Sequence, residues 1–389
     1  MSSISSPRPR GRFALMAAWS VLLAALFATA APARADTSPT ATPRTARVTI
    51  PPGVTAGIAV YDRQTGVFTE QSNIHTQFRS ASVVKLLIAL DHLWDHGPGY
   101  GLPSDDRARL DSMLRSSDDS AADYYWSQDG GSAIIDRMIP RLGLTDTADP
   151  PPDYPGYWGY TALSAADTVR IYRWILESAP TALRDIIMGD LRASTRCGID
   201  GFDQRFGIPA SFQQPWAVKQ GWSGFGESGD CAGTTASAAA GRTAAAPDAG
   251  VDLTRPALHT TGTVGAGDRS IVAVFTLHPQ DTSFGAAYSA LDTLVRSLNV
   301  PGSVPRSGSW YGTWGSHVQV RADTTTSSQV LTRLPAGVEA LIGCQKQGEE
   351  VTIGQYTNDW WAYLPLYGGY ITNIYISYPD NKLPDVPVC

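Results

Sequence analysis

Lysine is scarce in this chain. Of its 30 basic residues, 26 are arginine, and only Lys85, Lys219, Lys346 and Lys382 are lysine. There is no lysine-rich tail or long basic patch, and the formal net charge is −6, which excludes the electrostatic footprint of a nucleic-acid-binding protein. Arginine keeps its proton near neutral pH, whereas a desolvated lysine can act as a general base. Each retained lysine is therefore a candidate for chemistry.

Long apolar runs are also missing, apart from one at the start of the chain. A basic stretch, RPRGR, precedes FALMAAWSVLLAALFATA and the small-residue site Ala33-Arg34-Ala35, which predicts a secretory signal peptide over residues 1–35. An uncleaved anchor is the alternative, because a span needs roughly 20 apolar residues. No cysteine stands at the cleavage site to take a lipid. We expect an extracellular monomer without a membrane contact after cleavage.

Cysteine is rare, and no Cys-x-x-Cys pair is present. Four cysteines in an exported chain favour disulfides over metal ligands, and four allow three pairings. We favour Cys197 with Cys231 and Cys344 with Cys389, because this pairing keeps each bridge within one predicted domain. The sequence calls for no cofactor.

Composition divides the chain into successive segments. We expect a flexible lead-in over 36–48, an α+β domain over 49–300, a linker over 301–313, a small all-β module over 314–380 and a tail over 381–389. The Ala/Gly/Thr-rich residues 234–252 predict an insertion between strands, whose role the sequence does not reveal.

The α+β prediction follows from the order of the periodic patterns. A strand hairpin, TAGIAVYD to VFTEQ, precedes several helical candidates, among them LSAADTVRIYRWIL with a capping Ser164. PWAVKQGW, ALHTTGTVG and SIVAVFTLHP then predict strands, and AAYSALDTLVRSL a closing helix. An antiparallel sheet built from both ends of the segment and covered by a helical block accounts for this order.

Ser82 and Lys85 lie in the apolar stretch FRSASVVKLLIAL. Residues three apart on a helix share a face, so the hydroxyl and the amine can meet. Ser80 has Val83 at its third position and lacks such a partner. The alternative is a helix-start serine followed by a lysine that extends to solvent.

Two further triplets follow in the chain. Ser117-Asp118-Asp119 stands at the head of a predicted helix, where an N-cap cluster is the simpler interpretation. Lys219-Gln220-Gly221 lies on a predicted strand, where a lysine and a glycine allow positive charge and a close backbone approach.

With these three motifs, residues 49–300 resemble the serine penicillin-recognising family, which comprises penicillin-binding D,D-peptidases and class A β-lactamases. The family signatures Ser-x-x-Lys, Ser-Asp-Asn and Lys-Thr-Gly read here as Ser82-Val83-Val84-Lys85, Ser117-Asp118-Asp119 and Lys219-Gln220-Gly221, in the same order. The resemblance implies a β-lactamase/transpeptidase-like fold and a D,D-carboxypeptidase or penicillin-binding-protein type of serine hydrolase. The alternatives are a class A-like β-lactamase and a catalytically silent peptidoglycan-binding or scaffold protein.

The resemblance also implies residue roles. Ser82 would attack a carbonyl after deprotonation by Lys85, and Ser117 would relay a proton to the leaving nitrogen. The backbone amides of Ser82 and Trp222 would hold the oxyanion, and the Trp222 side chain would pack along the substrate. Lys219, with Gln220 and Gly221, would bind the substrate, and Lys219 would favour the neutral amine of Lys85 by like-charge repulsion.

Three departures from the family pattern weaken this chemistry. Asp119 replaces an asparagine, and an ionised aspartate would pair with Lys85 and cannot donate to a substrate carbonyl. Gln220 replaces a hydroxyl residue. No glutamate occurs between Glu70 and Glu177, so the loop ADPPPDYPGYWGY lacks the residue that activates water for deacylation in class A enzymes, although Asp149 or Asp153 could substitute. We predict slow hydrolysis of the acylated serine.

The C-terminal residues 314–380 resemble bacterial SH3-like domains, on VQVRADTTTSSQVLTRLPAGVEALI, NDWWAYL and GGYITNIYIS. The resemblance implies a small barrel that binds peptidoglycan peptides. Some aromatic side chains of this module must build its core, and four are candidates for a recognition groove: Trp360, Trp361, Tyr363 and Tyr370.

Three histidines were also considered. His92 and His96 lie four apart at the end of a predicted helix, where we favour an interaction with the helix dipole over a metal site. His259 lies on a strand expected beside that of Lys219, and we favour a structural histidine there.

Overall fold

A computed structural model of the chain describes residues 48–226, residue 231 and residues 250–389. The predicted signal peptide, nearly all of the lead-in and most of the Ala/Gly/Thr-rich segment lie outside these residues. Within the described part, no helix combines the length and apolarity needed to cross a bilayer.

The N-terminal part of the described chain is an α+β domain around a five-stranded antiparallel sheet. The strands run in the spatial order β2-β1-β7-β6-β5. The first two come from the start of the domain and the other three from its end, so the prediction of a sheet formed from both ends is confirmed. The strands are β1 (Thr55–Asp62), β2 (Val67–Ser72), β5 (Trp216–Ser223), β6 (Ala257–Val264) and β7 (Ser270–Leu277).

Helices cover both faces of this sheet. A buried cluster joins α1 to α6 to one face, and α8 packs with the other face. All predicted helices are present, and Ser164 caps α5 by accepting from the amide of Asp167. The helices are α1 (Lys85–Trp94), α2 (Ser104–Arg115), α3 (Asp119–Gln128), α4 (Ala133–Leu142), α5 (Ala165–Glu177), α6 (Thr181–Arg192), α7 (Ile208–Ser211) and α8 (Phe284–Arg296).

A short second sheet connects the chain before α1 with the loop that precedes α5. It pairs β3 (Phe78–Arg79) with β4 (Ala162–Leu163). The amide of Ser80 also donates to the carbonyl of Thr161 over 2.8 Å. This pairing brings the loop that ends at Tyr160 against the start of α1.

The C-terminal part is all-β, as predicted. Its main sheet is antiparallel in the order β10-β9-β14-β13-β12, and β8 pairs separately with β11. The strands are β8 (Ser309–Gly312), β9 (Val318–Arg321), β10 (Val330–Leu334), β11 (Glu339–Ile342), β12 (Cys344–Ile353), β13 (Tyr356–Leu364) and β14 (Gly369–Thr372).

Two predicted boundaries of the all-β module differ in the structure. The predicted linker 301–313 contains β8, and Pro305 forms a bridge with Phe212 of the α+β domain. The predicted tail 381–389 returns to the sheet, because Gln345 pairs with Val388 and Leu383 is buried. The Pro, Gly and Ser content predicted irregular structure for these segments. Composition alone does not show which tertiary contacts a segment makes.

The two parts share one apolar cluster. Phe284 and Tyr288 of α8 belong to the same buried cluster as Val318, Leu334 and Ile371 of the C-terminal strands. Polar contacts cross the same boundary. Arg296 pairs with Glu339 at 2.8 Å, and the hydroxyl groups of Tyr288 and Tyr367 lie 3.4 Å apart. The C-terminal module is therefore packed against the α+β domain and not merely attached by a linker.

Both predicted disulfides are present. Cys197 pairs with Cys231, and Cys344 pairs with Cys389. The second bridge joins the last residue of the chain to β12.

Candidate active site

Ser82 lies in a tight turn that leads into α1. Residues Ala81–Val84 form a 3-10 helix, and Lys85 is the first residue of α1. In a 3-10 helix, side chains three apart eclipse each other, which brings Ser82 and Lys85 closer than an ideal α-helix would. Ala81 adopts a left-handed backbone with φ 44°. Such a conformation costs a residue with a Cβ roughly 1–3 kcal/mol and often marks functional turns.

The amine of Lys85 is fully buried and lies among four oxygen atoms. Its Nζ is 3.0 Å from Ser82 Oγ, 2.7 Å from the carbonyl of Ser117, 3.5 Å from Ser117 Oγ and 2.6 Å from Asp119 Oδ1. The predicted meeting of hydroxyl and amine is thus present in the structure. The carboxylate of Asp119 is its shortest contact.

Ser117 connects the two buried lysines. Its Oγ lies 2.8 Å from Lys219 Nζ and 3.5 Å from Lys85 Nζ. Asp118, and not Ser117, caps α3, since its carboxylate accepts from the amides of Ser120 and Ala121. Ser117 itself is left-handed, with φ 56°, and faces the lysines.

Lys219 is fully buried on β5. Burial, followed by the nearby charge of Lys85, lowers the pKa of Lys219 well below its usual range. A lysine with a lowered pKa can accept a proton from the hydroxyl of Ser117. The two lysines and the serine between them therefore form a path along which a proton can move.

Gly221 allows β5 to approach the turn that carries Ser82. A Cβ at this position would lie 3.1 Å from the carbonyl oxygen of Ser80 and 3.1 Å from Val83 Cγ2. A side chain here would force Ser80 or Val83 to shift by a few tenths of an ångström. The close approach expected for this glycine is present.

Gln220 does not belong to this site, contrary to our expectation of a substrate-binding role. Side chains alternate along β5, so Gln220 points to the opposite face from Lys219. Its amide donates to the carbonyls of Gln204 and Phe206 at 3.1 and 2.7 Å, and the residue is buried.

A pocket of about 140 Å³ opens beside Ser82. Its lining includes Asp119, Trp158, Tyr160, Asp200 and Trp222. Trp222 occupies the position at which we expected contact with a substrate.

Trp158 occupies the side of the pocket where we sought a loop carboxylate. Its ring centroid lies 4.7 Å from Lys85 Nζ, and its Nε1 donates to Asp123 over 2.7 Å. Asp149 and Asp153 are exposed and, among the described residues, are not part of the pocket lining. Neither substitutes for the missing glutamate in this structure.

Asp200 was not predicted from the sequence. Its Oδ2 accepts from Trp222 Nε1 over 2.8 Å, and its Oδ1 accepts from the amide of Phe202 over 3.3 Å. Burial raises the pKa of Asp200. A single aspartate in a loop does not form a recognisable sequence motif. The only available signal was its position three residues after Cys197, which is part of a predicted disulfide.

His92 lies between two carboxylates. Its Nε2 is 2.9 Å from Asp106 and its Nδ1 is 3.2 Å from Asp129. Burial alone would lower the pKa of His92, but these two partners raise it. Among the described residues, His92, His96 and Asp106 have ligand atoms close enough for a metal ion. Both ring nitrogens of His92 already contact carboxylates, as expected for an imidazolium.

His259 has a structural role, as we favoured. It pairs with Gly221 across β5 and β6 and is fully buried. Its Nε2 contacts the carbonyl of Arg79 at 2.9 Å, and its Nδ1 accepts from the amide of Thr276. Burial lowers its pKa to about 3, so this histidine is neutral.

The four aromatic candidates of the C-terminal module differ in burial and in partners. Trp361 is buried in the module, and its Nε1 donates to the carbonyl of Glu349. Its side chain is part of the core of the module, and its place in a recognition groove stays a prediction. The ring of Trp360 lies 5.0 Å from Lys382 Nζ, whereas the rings of Tyr363 and Tyr370 contact each other with centroids 5.2 Å apart and planes tilted by 54°.

Comparison with families and curated proteins gives a partial match. No family model matches the chain. Proteins described as "Putative lipoprotein LppW" from Mycobacterium tuberculosis (strain ATCC 25618 / H37Rv) and from Mycobacterium bovis are each 46% identical over 176 residues. This match covers 44% of the chain and 54% of each relative, so it spans about half the length of the curated relatives.

Among solved structures, the chain is similar to penicillin-recognising proteins. "Structure of PBP-A" shares 16% identity over 64% of this chain and 90% of that one, with a TM-score of 0.46. A class A β-lactamase from Mycobacterium abscessus shares 16% identity over 63% and 92%, with a TM-score of 0.45. A β-lactamase from Streptomyces albus G shares 19% identity over 64% and 95%, with a TM-score of 0.43.

Proposed function

We propose that this chain is an exported serine hydrolase that forms an acyl-enzyme on Ser82 with D-Ala-D-Ala-type cell-wall peptides or β-lactams. One geometric observation supports this function above all others. Lys85 Nζ lies 3.0 Å from Ser82 Oγ, and Ser117 joins Lys85 to Lys219 at the side of a pocket that Ser82 lines. A hydroxyl beside an amine, with a second hydroxyl near the leaving group, is the arrangement that nucleophilic acyl transfer requires.

In the proposed acylation, Ser82 Oγ attacks the substrate carbonyl while its proton passes to the neutral amine of Lys85. The backbone amides of Ser82 and Trp222 stabilise the oxyanion. Ser117 then donates its proton to the leaving nitrogen and is reprotonated from the lysine pair, and the carbon–nitrogen bond breaks. The product is an ester on Ser82. Lys219 attracts the substrate carboxylate when it is protonated.

The location of the protein follows from its disulfides and its relatives. Two disulfides favour a compartment outside the cytoplasm. The curated relatives are described as lipoproteins, so anchoring of this chain at the outer face of the membrane is the alternative to free secretion. We further propose a monomer whose SH3-like C-terminal module contacts peptidoglycan.

A catalytically silent binding protein is the second candidate. The ion pair between Asp119 and Lys85, at 2.6 Å, favours it because a paired ammonium cannot accept the proton of Ser82. An efficient class A-like β-lactamase has less support. No carboxylate from the loop 149–160 lines the pocket in the part of the chain that the structure describes.

Labelling with a fluorescent penicillin distinguishes these functions. We expect the purified chain to take up the label and to gain the mass of one penicillin. Ser82→Ala should abolish the label, whereas Ser80→Ala should retain it, because Ser80 is buried two residues away and contacts the carbonyl of Gly159 instead of Lys85. Absence of label on the native chain at every pH between about 6 and 9 would support the silent protein.

A further inference from the structure

The pocket beside Ser82 has an acidic and aromatic lining. Asp119 and Asp200 both contribute carboxylates, and Trp158, Tyr160 and Trp222 contribute rings. No arginine or lysine belongs to the lining among the described residues. Aromatic faces and carboxylates together are the surroundings that an organic cation prefers in a protein.

The cations close to this pocket already have protein partners. Lys85 pairs with Asp119, and Lys219 lies behind Ser117. Arg79 is buried, and its guanidinium donates to the Ser223 hydroxyl and to the carbonyls of Ser223, Asp252 and Arg255. None of these three groups neutralises Asp200 by a direct hydrogen bond in the described structure.

Asp200 is held in place by its own loop. Cys197 and Asp203 form an isolated β-bridge, which closes the loop that contains Asp200. Cys197 also forms a disulfide with Cys231. Each carboxylate oxygen of Asp200 accepts one hydrogen bond, from Phe202 and from Trp222. A carboxylate offers about four acceptor positions, which leaves two for a ligand.

The surroundings of Asp200 act on its pKa in both directions. Burial and the nearby charge of Asp119 raise the pKa, whereas the hydrogen bond from Trp222 and the charge of Lys85 lower it. A positive group bound against Asp200 would further favour its ionised form.

We propose that this pocket selects substrates with an ammonium or guanidinium group near the carbonyl that Ser82 attacks, and that Asp200 is the charged partner of that group. The inference rests on the proposed acylation of Ser82 and adds a substrate class to it. The orientation of Gln220 away from the pocket fits this class, because the site offers one group fewer to a substrate carboxylate.

The test compares two thioesters that differ by one charge, Nα-acetyl-lysine and Nα-acetyl-norleucine thiobenzyl esters. We expect kcat/KM to favour the lysine thioester by at least about tenfold at low salt, with the preference falling as ionic strength rises. Asp200→Asn retains an oxygen for Trp222 Nε1 but removes the charge. It should reduce the preference to about twofold or less, because the lysine thioester should lose more of its rate than the norleucine thioester does.

Asp153→Asn is the matched control, because Asp153 is exposed and is not part of the pocket lining among the described residues. It should leave the preference unchanged. Equal rates for the two thioesters in the native chain would overturn the proposal. So would an equal loss of both rates in Asp200→Asn, which would show that Asp200 only holds the loop and Trp222.

A binding measurement separates this proposal from the proposed function. If neither thioester acylates the native chain, the hydrolase activity is not supported, but the pocket can still be tested. Lysinamide and norleucinamide are then titrated by calorimetry into Ser82→Ala. Tighter binding of lysinamide that is lost in the double variant with Asp200→Asn supports the cation pocket, and equal or absent binding of both amides overturns it.

Discussion

Asp119 Oδ1 lies 2.6 Å from Nζ of Lys85, closer than Ser82 Oγ and closer than either oxygen of Ser117. The side chain of Asp119 is half exposed, whereas that of Lys85 is fully buried. The contact occupies the amine that the proposed chemistry needs as a proton acceptor. We therefore expect this contact to limit the rate of the proposed reaction at Ser82.

Replacing Asp119 by asparagine should accelerate acylation. Asp119→Asn removes the ion pair with the amine of Lys85 and supplies an amide that can donate to a substrate carbonyl. We expect the rate of penicillin labelling to rise about tenfold, equivalent to about 1.4 kcal/mol of the activation barrier. Stopped-time labelling followed by intact mass measures this rate. Unchanged or slower labelling, with Asp105→Asn as the control, would show that the ion pair does not limit the reaction.

Replacing Lys219 by methionine should separate reactivity from stability. Lys219→Met removes the amine that helps return a proton to Ser117 in the proposed reaction, so labelling should fall by about a hundredfold or more. The free energy of unfolding should rise at neutral pH, because burying a lysine whose pKa is lowered in the folded state is costly.

The gain in stability from Lys219→Met should depend on pH. Between the lowered folded pKa of Lys219 and the ordinary value near 10.4, the unfolded chain binds more protons, so native stability rises with pH. The advantage of Lys219→Met should therefore shrink as the pH approaches 10. Urea unfolding of the native chain and of Lys219→Met at pH 7 and at pH 9.5 measures the difference in their free energies of unfolding. The same difference at both pH values would contradict a lowered pKa of Lys219.

Introducing a carboxylate at position 158 should shorten the life of the acyl-enzyme. Trp158 lines the pocket with Ser82, and its ring lies over Lys85, so a glutamate there is within reach of a water near the ester. We expect Trp158→Glu to speed deacylation by about tenfold or more, since general base catalysis contributes 10² to 10⁴. Trp158→Gln has the same size without the base and should keep the slow rate. Equal lifetimes for both variants would argue against a missing base as the cause.

His92 should stabilise the fold only below a certain pH. Its two carboxylate partners raise its folded pKa despite burial, so its contribution is full below the unfolded value near 6.5 and is lost as pH rises through the folded value. His92→Gln should lower the free energy of unfolding by about 1–3 kcal/mol at pH 5.5, the range for charged hydrogen bonds. His75→Gln, at an exposed ion pair, should change it by about 0.5 kcal/mol or less.

Two sequence features predicted that side chains around Ser82 would meet. Ser82 and Lys85 have a fixed spacing on one element, and Ser117 and Lys219 belong to triplets in the expected order. Strand alternation also determines that Gln220 faces away from Lys219, which the sequence could have revealed. Trp158 and Asp200 could not be found in this way, because each is a single residue in a loop whose path depends on β3, β4 and a disulfide.

The fold was predictable where burial is periodic and less so elsewhere. Helix spacing identified α5 and α8, and we did not expect α6, although Leu183, Ile187 and Leu191 are buried at helical spacing. The contact between α8 and the C-terminal strands was missed for another reason. Alternation shows that a face is apolar, but not which distant element covers it.

That shared cluster has a geometric consequence. Helix α8 and the C-terminal strands bury each other's side chains. The distance between Ser82 and any polymer bound to the C-terminal sheet would therefore be fixed by the fold and would not depend on a flexible linker. Ser82 would then react only with those groups of the polymer that lie at one fixed distance from the bound segment.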